Sequence, residues 1–299
     1  MHDPTDTMTL TRRTALLAGL LPFSAFAADA LAELEQRAGG RLGVSLLDTG
    51  SGRHWAHRGD ERFGMCSTFK LPLAGAVLQA IDQGRLRAGA RLPLRRSERV
   101  PHMPATEPLL ARGWATPLQL AEAVQVTSDN LAANVLLRAL GGPETLTQWL
   151  RAQGDAVTRL DRYEPEMNRV SPGDERDTSS PAAFAATVAR LCTGGVLGRA
   201  SRERLIAWMR ATYTGRQRLR AGLPSNWRAG DKTGTGFSPG MPDRINDTAI
   251  FWPTSRAPWV LACFYEGPVH STEWIRAQDE AVLAEVGRLA ADFTRAGRT

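Results

Sequence analysis

Lysine is scarce in this 299-residue chain: of its 37 Lys and Arg residues only two are lysines, Lys70 and Lys232. Both sit in short polar motifs, Ser67-Thr68-Phe69-Lys70 and Lys232-Thr233-Gly234. A guanidinium stays protonated in a protein, whereas a buried ammonium can give up its proton and act as a base, or serve as a compact point charge for an anion. The two lysines therefore mark a candidate active site. Ser67 and Lys70 lie at i and i+3 at the start of a predicted helix, so hydroxyl and amine share a face and suit a nucleophile with its activator. Backbone N–H groups at a helix start point outward, which makes the Ser67 amide a candidate donor to an oxyanion.

Three further segments have chemistry-bearing types. Ser128-Asp129-Asn130 precedes a predicted helix; the segment reads as a cap for free N–H groups, or as side chains presented to a site. Lys232-Thr233-Gly234-Thr235-Gly236 reads as a strand with close backbone approach to a neighbour, or as a glycine-rich strand end. Glu164-Pro165-Glu166-Met167-Asn168 lies in a polar stretch, Arg159 to Thr178, that lacks helical or strand periodicity. Loops this long are functional or disordered, and a solvated acidic loop is the plainer alternative.

In the order S-x-x-K, S-D-N, E-x-x-x-N, K-T-G, the four segments closely resemble the class A serine β-lactamases. The resemblance spans roughly Leu42 to Leu289 and includes Arg159-Leu160-Asp161-Arg162-Tyr163 ahead of Glu164, Asp174-Glu175-Arg176-Asp177-Thr178, and Gly230-Asp231 ahead of Lys232. It implies hydrolysis of the lactam amide bond of penicillin- and cephalosporin-type antibiotics through a serine acyl-enzyme, with no metal or organic cofactor. By this resemblance Ser67 is the nucleophile and the amides of Ser67 and Thr235 form the oxyanion hole. Lys70, or Glu164 acting through water, takes the serine proton; Glu164 is the base for hydrolysing the acyl-enzyme, with Asn168 positioning the water. Glu164 rather than Glu166 matches the family's base, because it directly precedes the proline. Ser128 is implied to pass a proton to the departing nitrogen, and Asn130 to bind the substrate's side-chain amide and Lys70. Asp129 reads as a structural carboxylate.

Lys232, Thr233 and a guanidinium are implied to receive the substrate carboxylate. Arg218 is the favoured guanidinium, and Arg244 competes but falls one residue off the family position, a step that reverses a strand side chain's face. Arg162 and Asp177 match the pair that closes the family's omega loop, and His102 occupies a rim position often held by an aromatic residue. Members with strong carbapenemase activity cross-link the cysteine beside the nucleophile, here Cys66, to one just after K-T-G-T. Gly236 stands there in this chain, so that bond cannot form, and Phe237 to Asp243 is a few residues longer than in many relatives. Two alternatives share part of the motif set: a peptidoglycan DD-peptidase or transpeptidase, and a β-lactam sensor that stays acylated.

These residues need elements to hold them. Ala28 to Ala38 reads as a helix closed by Gly39-Gly40, and Leu42 to Asp48 with Arg53 to His57 as a hairpin. Helical signals dominate from Ser67 to about Arg210: Leu71 to Ile81, Thr116 to Val126, Leu131 to Leu140, Pro181 to Leu191 and Ser201 to Arg210. Strands follow at Trp227 to Thr233, Thr248 to Trp252 and Trp259 to Tyr265. A last helix carries Ile275, Val282, Val286, Leu289 and Phe293 on one face. That order predicts an α/β (α+β) two-lobe fold. Residues 28–65 and 211–299 form the α/β lobe, which the resemblance makes a five-stranded antiparallel sheet with flanking helices. Residues 66–210 form an inserted all-helical lobe containing an omega loop at about 159–177. A site between lobes is expected, since pockets favour such boundaries.

Composition limits the partners. The formal charge of +6 comes from arginines scattered singly among acids, which reads as a solvated surface and not as a nucleic-acid footprint. Residues 1–27 read as an export signal, with Arg12-Arg13, the apolar run Ala15 to Phe26, and Ala25-Phe26-Ala27 as a cleavage site. Thr11-Arg12-Arg13-Thr14-Ala15-Leu16 is similar to a twin-arginine signal. A periplasmic monomer is expected, without stable membrane insertion after cleavage. Cys66, Cys192 and Cys263 lack metal or disulfide-framework spacing, and His54 and His57 read as surface histidines, so no metal is expected.

Overall fold

The computed structural model describes residues 22–269 and 274–296. The predicted export signal therefore lies outside the described residues, apart from the helical backbone of its last few positions. Helix α1 (Pro22–Ala38) leads into β1 (Arg41–Asp48) and β2 (His54–His57). A 3-10 turn, Cys66–Phe69, then opens the helical part: α2 (Lys70–Asp82), α3 (Pro117–Val126), α4 (Asn130–Leu140), α5 (Pro143–Ala152), α6 (Pro181–Thr193) and α7 (Arg199–Ala211). The short α8 (Leu219–Gly222) precedes β3 (Arg228–Gly236), β4 (Arg244–Trp252), β5 (Trp259–Glu266) and α9 (Ala277–Ala296). The five strands form one antiparallel sheet in the order β2-β1-β5-β4-β3. This is the mixed fold the sequence predicts.

Alternation along the strands explains why both faces are covered. Ile250, Val260, Ala262 and Phe264 join the core beneath α2, α4 and α6, while Ala249, Phe251, Leu261 and Cys263 join a second core with α1, α8 and α9. Helix α9 contributes Val282, Leu283, Val286 and Ala290 to that second core. Ile275 differs from expectation: it precedes the first turn of α9 and is 45% exposed, so the helical period does not reach it.

Two elements differ from the sequence reading. The pair Gly141-Gly142 does end α4, at φ values of 107° and 108°, but Pro143 starts α5 at once. A proline whose fixed φ suits the first helical position stops one helix and begins the next. Strand β4 begins at Arg244, not Thr248, because the polar residues Arg244, Asn246 and Asp247 are buried with partners. An apolar pattern does not register them.

Candidate functional site

Ser67 sits in the 3-10 turn ahead of α2 and not in the α-helix itself. The correction strengthens the expected pairing, since residues three apart eclipse in a 3-10 turn. Lys70 Nζ donates to Ser67 Oγ at 2.8 Å. The turn is entered through Cys66 at φ 47°, a left-handed conformation that costs an L-residue about 1–3 kcal/mol. Surrounding bonds impose it: Asn246 Nδ2 donates to the carbonyls of Gly64 (2.9 Å) and Met65 (3.1 Å), and Met65 N donates to Asp177 O at 3.0 Å. Strand β3 completes the wall. A Cβ on Gly234 would lie 2.6 Å from Met65 O, so the glycine of K-T-G is required by close backbone approach.

Lys70 is fully buried and also donates to Ser128 O at 2.8 Å and to Asn130 Oδ1. Its ammonium lies 2.9 Å from Glu164 Oε1, and both side chains are inaccessible to solvent. Ser67 Oγ is 3.3 Å from the same carboxylate oxygen. A hydroxyl thus contacts an amine and a carboxylate at once, and these two touch each other. Ser128, at φ 61°, places its hydroxyl 3.0 Å from Lys232 Nζ and 3.5 Å from Lys70 Nζ. Burial, reinforced by the charge of Lys70, pulls the Lys232 ammonium well below its ordinary pKa.

Ser128-Asp129-Asn130 satisfies both sequence readings through different residues. Asp129 caps α4 by accepting from Ala132 N at 2.8 Å and also accepts from Ala105 N, Thr106 N and Thr106 Oγ1. Ser128 and Asn130 face the lysines. Asn134, unnoticed in the sequence, clamps Glu164 from both sides: Glu164 N donates to its Oδ1 at 2.9 Å and its Nδ2 donates to Glu164 O at 2.8 Å. The spacing Asn130-x-x-x-Asn134 on one helix face was its available signal.

The 159–177 stretch is irregular apart from the 3-10 turn Glu166–Asn168, and Arg159 N donates to the O of Thr178, which begins a short strand paired with Phe63–Gly64. Glu164 is buried and Glu166 exposed. Asn168 Nδ2 donates to Glu164 Oε2 at 2.6 Å, while Asn168 Oδ1 is buried with no partner among the described residues. Arg162 Nε donates to Asp177 Oδ2 at 2.5 Å, and the other Asp177 oxygen accepts from Asp161 N and Arg162 N.

Arg218 and Arg244 diverge. Arg218, 1% exposed, donates to Thr235 Oγ1 at 2.7 Å, to Gly234 O and Asn246 O, and to Glu280 at 3.1 Å. It lies against the strand that carries Lys232, Thr233 and Thr235. Thr233 Oγ1 is 2.7 Å from Thr214 Oγ1. Arg244 instead reaches Glu266 and the loop carbonyls of Asn168 and Val170. His102 is exposed at φ 58°; its Nε2 lies 2.9 Å from Thr127 O and its own carbonyl accepts from Asn130 N. Cys66 is a buried free thiol pushed up to about 12 by burial, and a Cβ on Gly236 would lie 2.7 Å from its sulfur. His57 pairs with Glu35 and His54 with Ser45, at 2.7 and 2.9 Å.

The profile of the Beta-lactamase enzyme family matches residues 26–294. Beta-lactamase L2 of Stenotrophomonas maltophilia is 45% identical over 265 residues, 88% of this chain and 84% of that protein. The carbapenem-hydrolyzing beta-lactamase KPC of Klebsiella oxytoca is 42% identical over 292 residues, covering 95% of this chain and 97% of the relative. Among solved structures, an ancestral (GNCA) class A beta-lactamase superposes with a TM-score of 0.84 at 51% identity, over 89% of this chain and 99% of that one. A beta-lactamase from Burkholderia vietnamiensis gives 0.84 at 42% identity, over 90% and 96%. Similarity on this scale, over nearly the whole chain, makes the chain a member of the beta-lactamase enzyme family, in its class A branch.

Proposed function

We propose a two-step acyl-enzyme route by which this enzyme hydrolyses the lactam amide bond of penicillin- and cephalosporin-type antibiotics. Ser67 Oγ attacks the lactam carbonyl and releases its proton to the Lys70–Glu164 pair. That the two touch at 2.9 Å, with Ser67 Oγ within 2.8 and 3.3 Å of them, is the observation that carries the reading. The negative charge developing on the carbonyl oxygen is taken by the amides of Ser67 and Thr235, preorganised donors worth a few kcal/mol in the transition state. The C–N bond then breaks, and the nitrogen receives a proton from Ser128, whose hydroxyl bridges Lys70 and Lys232.

The proton taken from Ser67 passes through Lys70 to Ser128, which restores that hydroxyl and leaves Glu164 ionised. Glu164 then takes a proton from water as the water attacks the ester, and returns it through Lys70 to Ser67 Oγ as the C–O bond breaks. The unpartnered Oδ1 of Asn168, beside its bond to Glu164, supports a shared grip on that water. Lys232, Thr233 and Thr235 receive the substrate carboxylate. Arg218 holds the Thr235 hydroxyl from behind and adds its charge, and Asn130 and His102 border the substrate's side chain. The enzyme works in the periplasm after export, which the Arg12-Arg13 and Ala25-Phe26-Ala27 signature supports, and as a monomer. No helix among the described residues is long and apolar enough to cross a membrane.

Glu164→Gln tests the assignment. The variant should still be acylated by a penicillin, with the adduct persisting in mass spectrometry. Rapid turnover by that variant would reject the role of Glu164. Many turnovers of a chromogenic cephalosporin by the unaltered protein separate this reading from a DD-peptidase or a sensor.

A further inference from the structure

The register of the sheet places Arg41 of β1 opposite Glu266 of β5, and Glu266 opposite Arg244 of β4. The three side chains form a charge ladder across three strands. Arg41 Nε donates to Glu266 Oε2 at 2.9 Å and Arg244 Nε to Glu266 Oε1 at 3.2 Å. Space for the last rung comes from a missing side chain, since a Cβ on Gly64 would lie 2.8 Å from Arg244 Nε. Arg244 is 3% exposed, and its remaining nitrogens turn to the loop: Nη2 donates to Val170 O at 2.5 Å and Nη1 to Asn168 O at 3.4 Å. Beyond this contact the loop stands off the sheet across a cavity of about 400 Å³ bordered by Val170, Ser171, Pro172 and Gly173. The Arg162–Asp177 pair closes the loop at its neck, and Arg244 fastens its far arm.

We propose that Arg244 is a positioning residue for the second chemical step, holding Asn168, and through its amide Glu164, at the place from which water attacks the ester. This rests on the assignment of Glu164 and Asn168 made above. The guanidinium is suited to the task because its fork is rigid and permanently charged, and Glu266 fixes its plane. Arg244 touches neither Ser67 nor Lys232, and it acts on the Glu164 oxygen that Asn168 holds and not on the one facing Ser67 and Lys70, so hydrolysis of the adduct should suffer more than acylation.

The kinetics of a two-step enzyme separate the possibilities. Slower hydrolysis of the adduct lowers kcat and KM together and leaves kcat/KM, which reports acylation, unchanged. Arg244→Met keeps the length of the side chain and removes its donors, and Glu266→Gln keeps its shape and frees the guanidinium. Both variants, purified as folded full-length protein, are assayed by steady-state hydrolysis of a chromogenic cephalosporin and by mass spectrometry of the quenched reaction. Arg244→Met should lower kcat about tenfold, the equivalent of one charge-assisted hydrogen bond, with KM falling in step and adduct accumulating. Glu266→Gln should give the same pattern more weakly, and Arg244→Lys should recover part of the loss. A rise in KM at constant kcat, a fall in kcat/KM matching that in kcat, or unaltered kinetics in Arg244→Met would each overturn the proposal. If Arg244→Met does not fold, the decision passes to Glu266→Gln under the same criteria. Failure of the unaltered enzyme to turn over would instead count against the hydrolase reading itself.

Discussion

Replacing Asp177 by asparagine should loosen the loop that carries Glu164. The Asp177 carboxylate is wholly buried and accepts three bonds, from Asp161 N (2.7 Å), Arg162 N (3.0 Å) and Arg162 Nε (2.5 Å). Asparagine offers one acceptor oxygen and a donor amide, so one of these N–H groups must face another donor, and the charge opposite Arg162 is gone. Breaking a fully buried ion pair costs about 3–5 kcal/mol. Arg162 keeps 23% side-chain exposure, so water recovers part of its solvation, and burial already pushes the Asp177 carboxyl up against the amides and guanidinium that favour its charge. A loss of about 2–3 kcal/mol follows on discounting the fully buried figure. At about 2–4 °C per kcal/mol for a chain of this size, the midpoint of thermal unfolding should fall by roughly 4–12 °C. Near-ultraviolet circular dichroism reads that shift, and mass spectrometry should show a longer-lived penicillin adduct, because the loop positions the hydrolytic carboxylate. A variant that melts within about 1 °C of the parent and clears its adduct at the same rate would refute the reasoning.

Gly236→Ala should slow acylation, since its Cβ would lie 2.7 Å from the Cys66 sulfur beside Ser67. Adding Cys66→Ala should restore much of the rate, and strictly additive effects on kcat/KM would reject the steric link. Asp231 gives a pH prediction. Burial raises its carboxyl to about 6, against Arg220, Lys232 and Arg218. An acid whose pKa is raised on folding stabilises the fold while protonated in both states, and that contribution fades as pH climbs from its ordinary value near 4 through about 6. Asp231→Asn should therefore flatten the fall in melting temperature across this interval, and parallel profiles for both proteins would dispose of the assignment.

Much of the site was legible because its parts are short and local. Ser67 and Lys70 are three apart, Glu164 and Asn168 four apart, and a glycine-rich strand implied close approach, which Gly234 makes against Met65. The remainder depends on tertiary pairing. Asn134 and Asn246 look like ordinary polar residues in sequence and become clamps only when α4 meets the loop and β4 meets the turn before Ser67. The polar start of β4 was hidden for the same reason. Arg244, the competing carboxylate anchor of the sequence reading, directs its side chain toward Val170, whereas Arg218 is the guanidinium on Thr235. Spacing singled out Arg218 as a candidate, and its contact with the Thr235 hydroxyl needed coordinates.

The central pairing of the sheet joins β1 to β5, and the Arg41–Glu266 bond between them spans 225 positions. A ribosome must finish nearly the whole polypeptide before this seam can zip, and so large a chain closure delays folding. During synthesis the first hairpin waits beside an unfilled edge, which leaves the emerging chain open for chaperones to engage. Shortening the C-terminal third should therefore leave the serine–lysine turn without the Asn246 bonds and the β3 wall that hold it, in a chain that never matures.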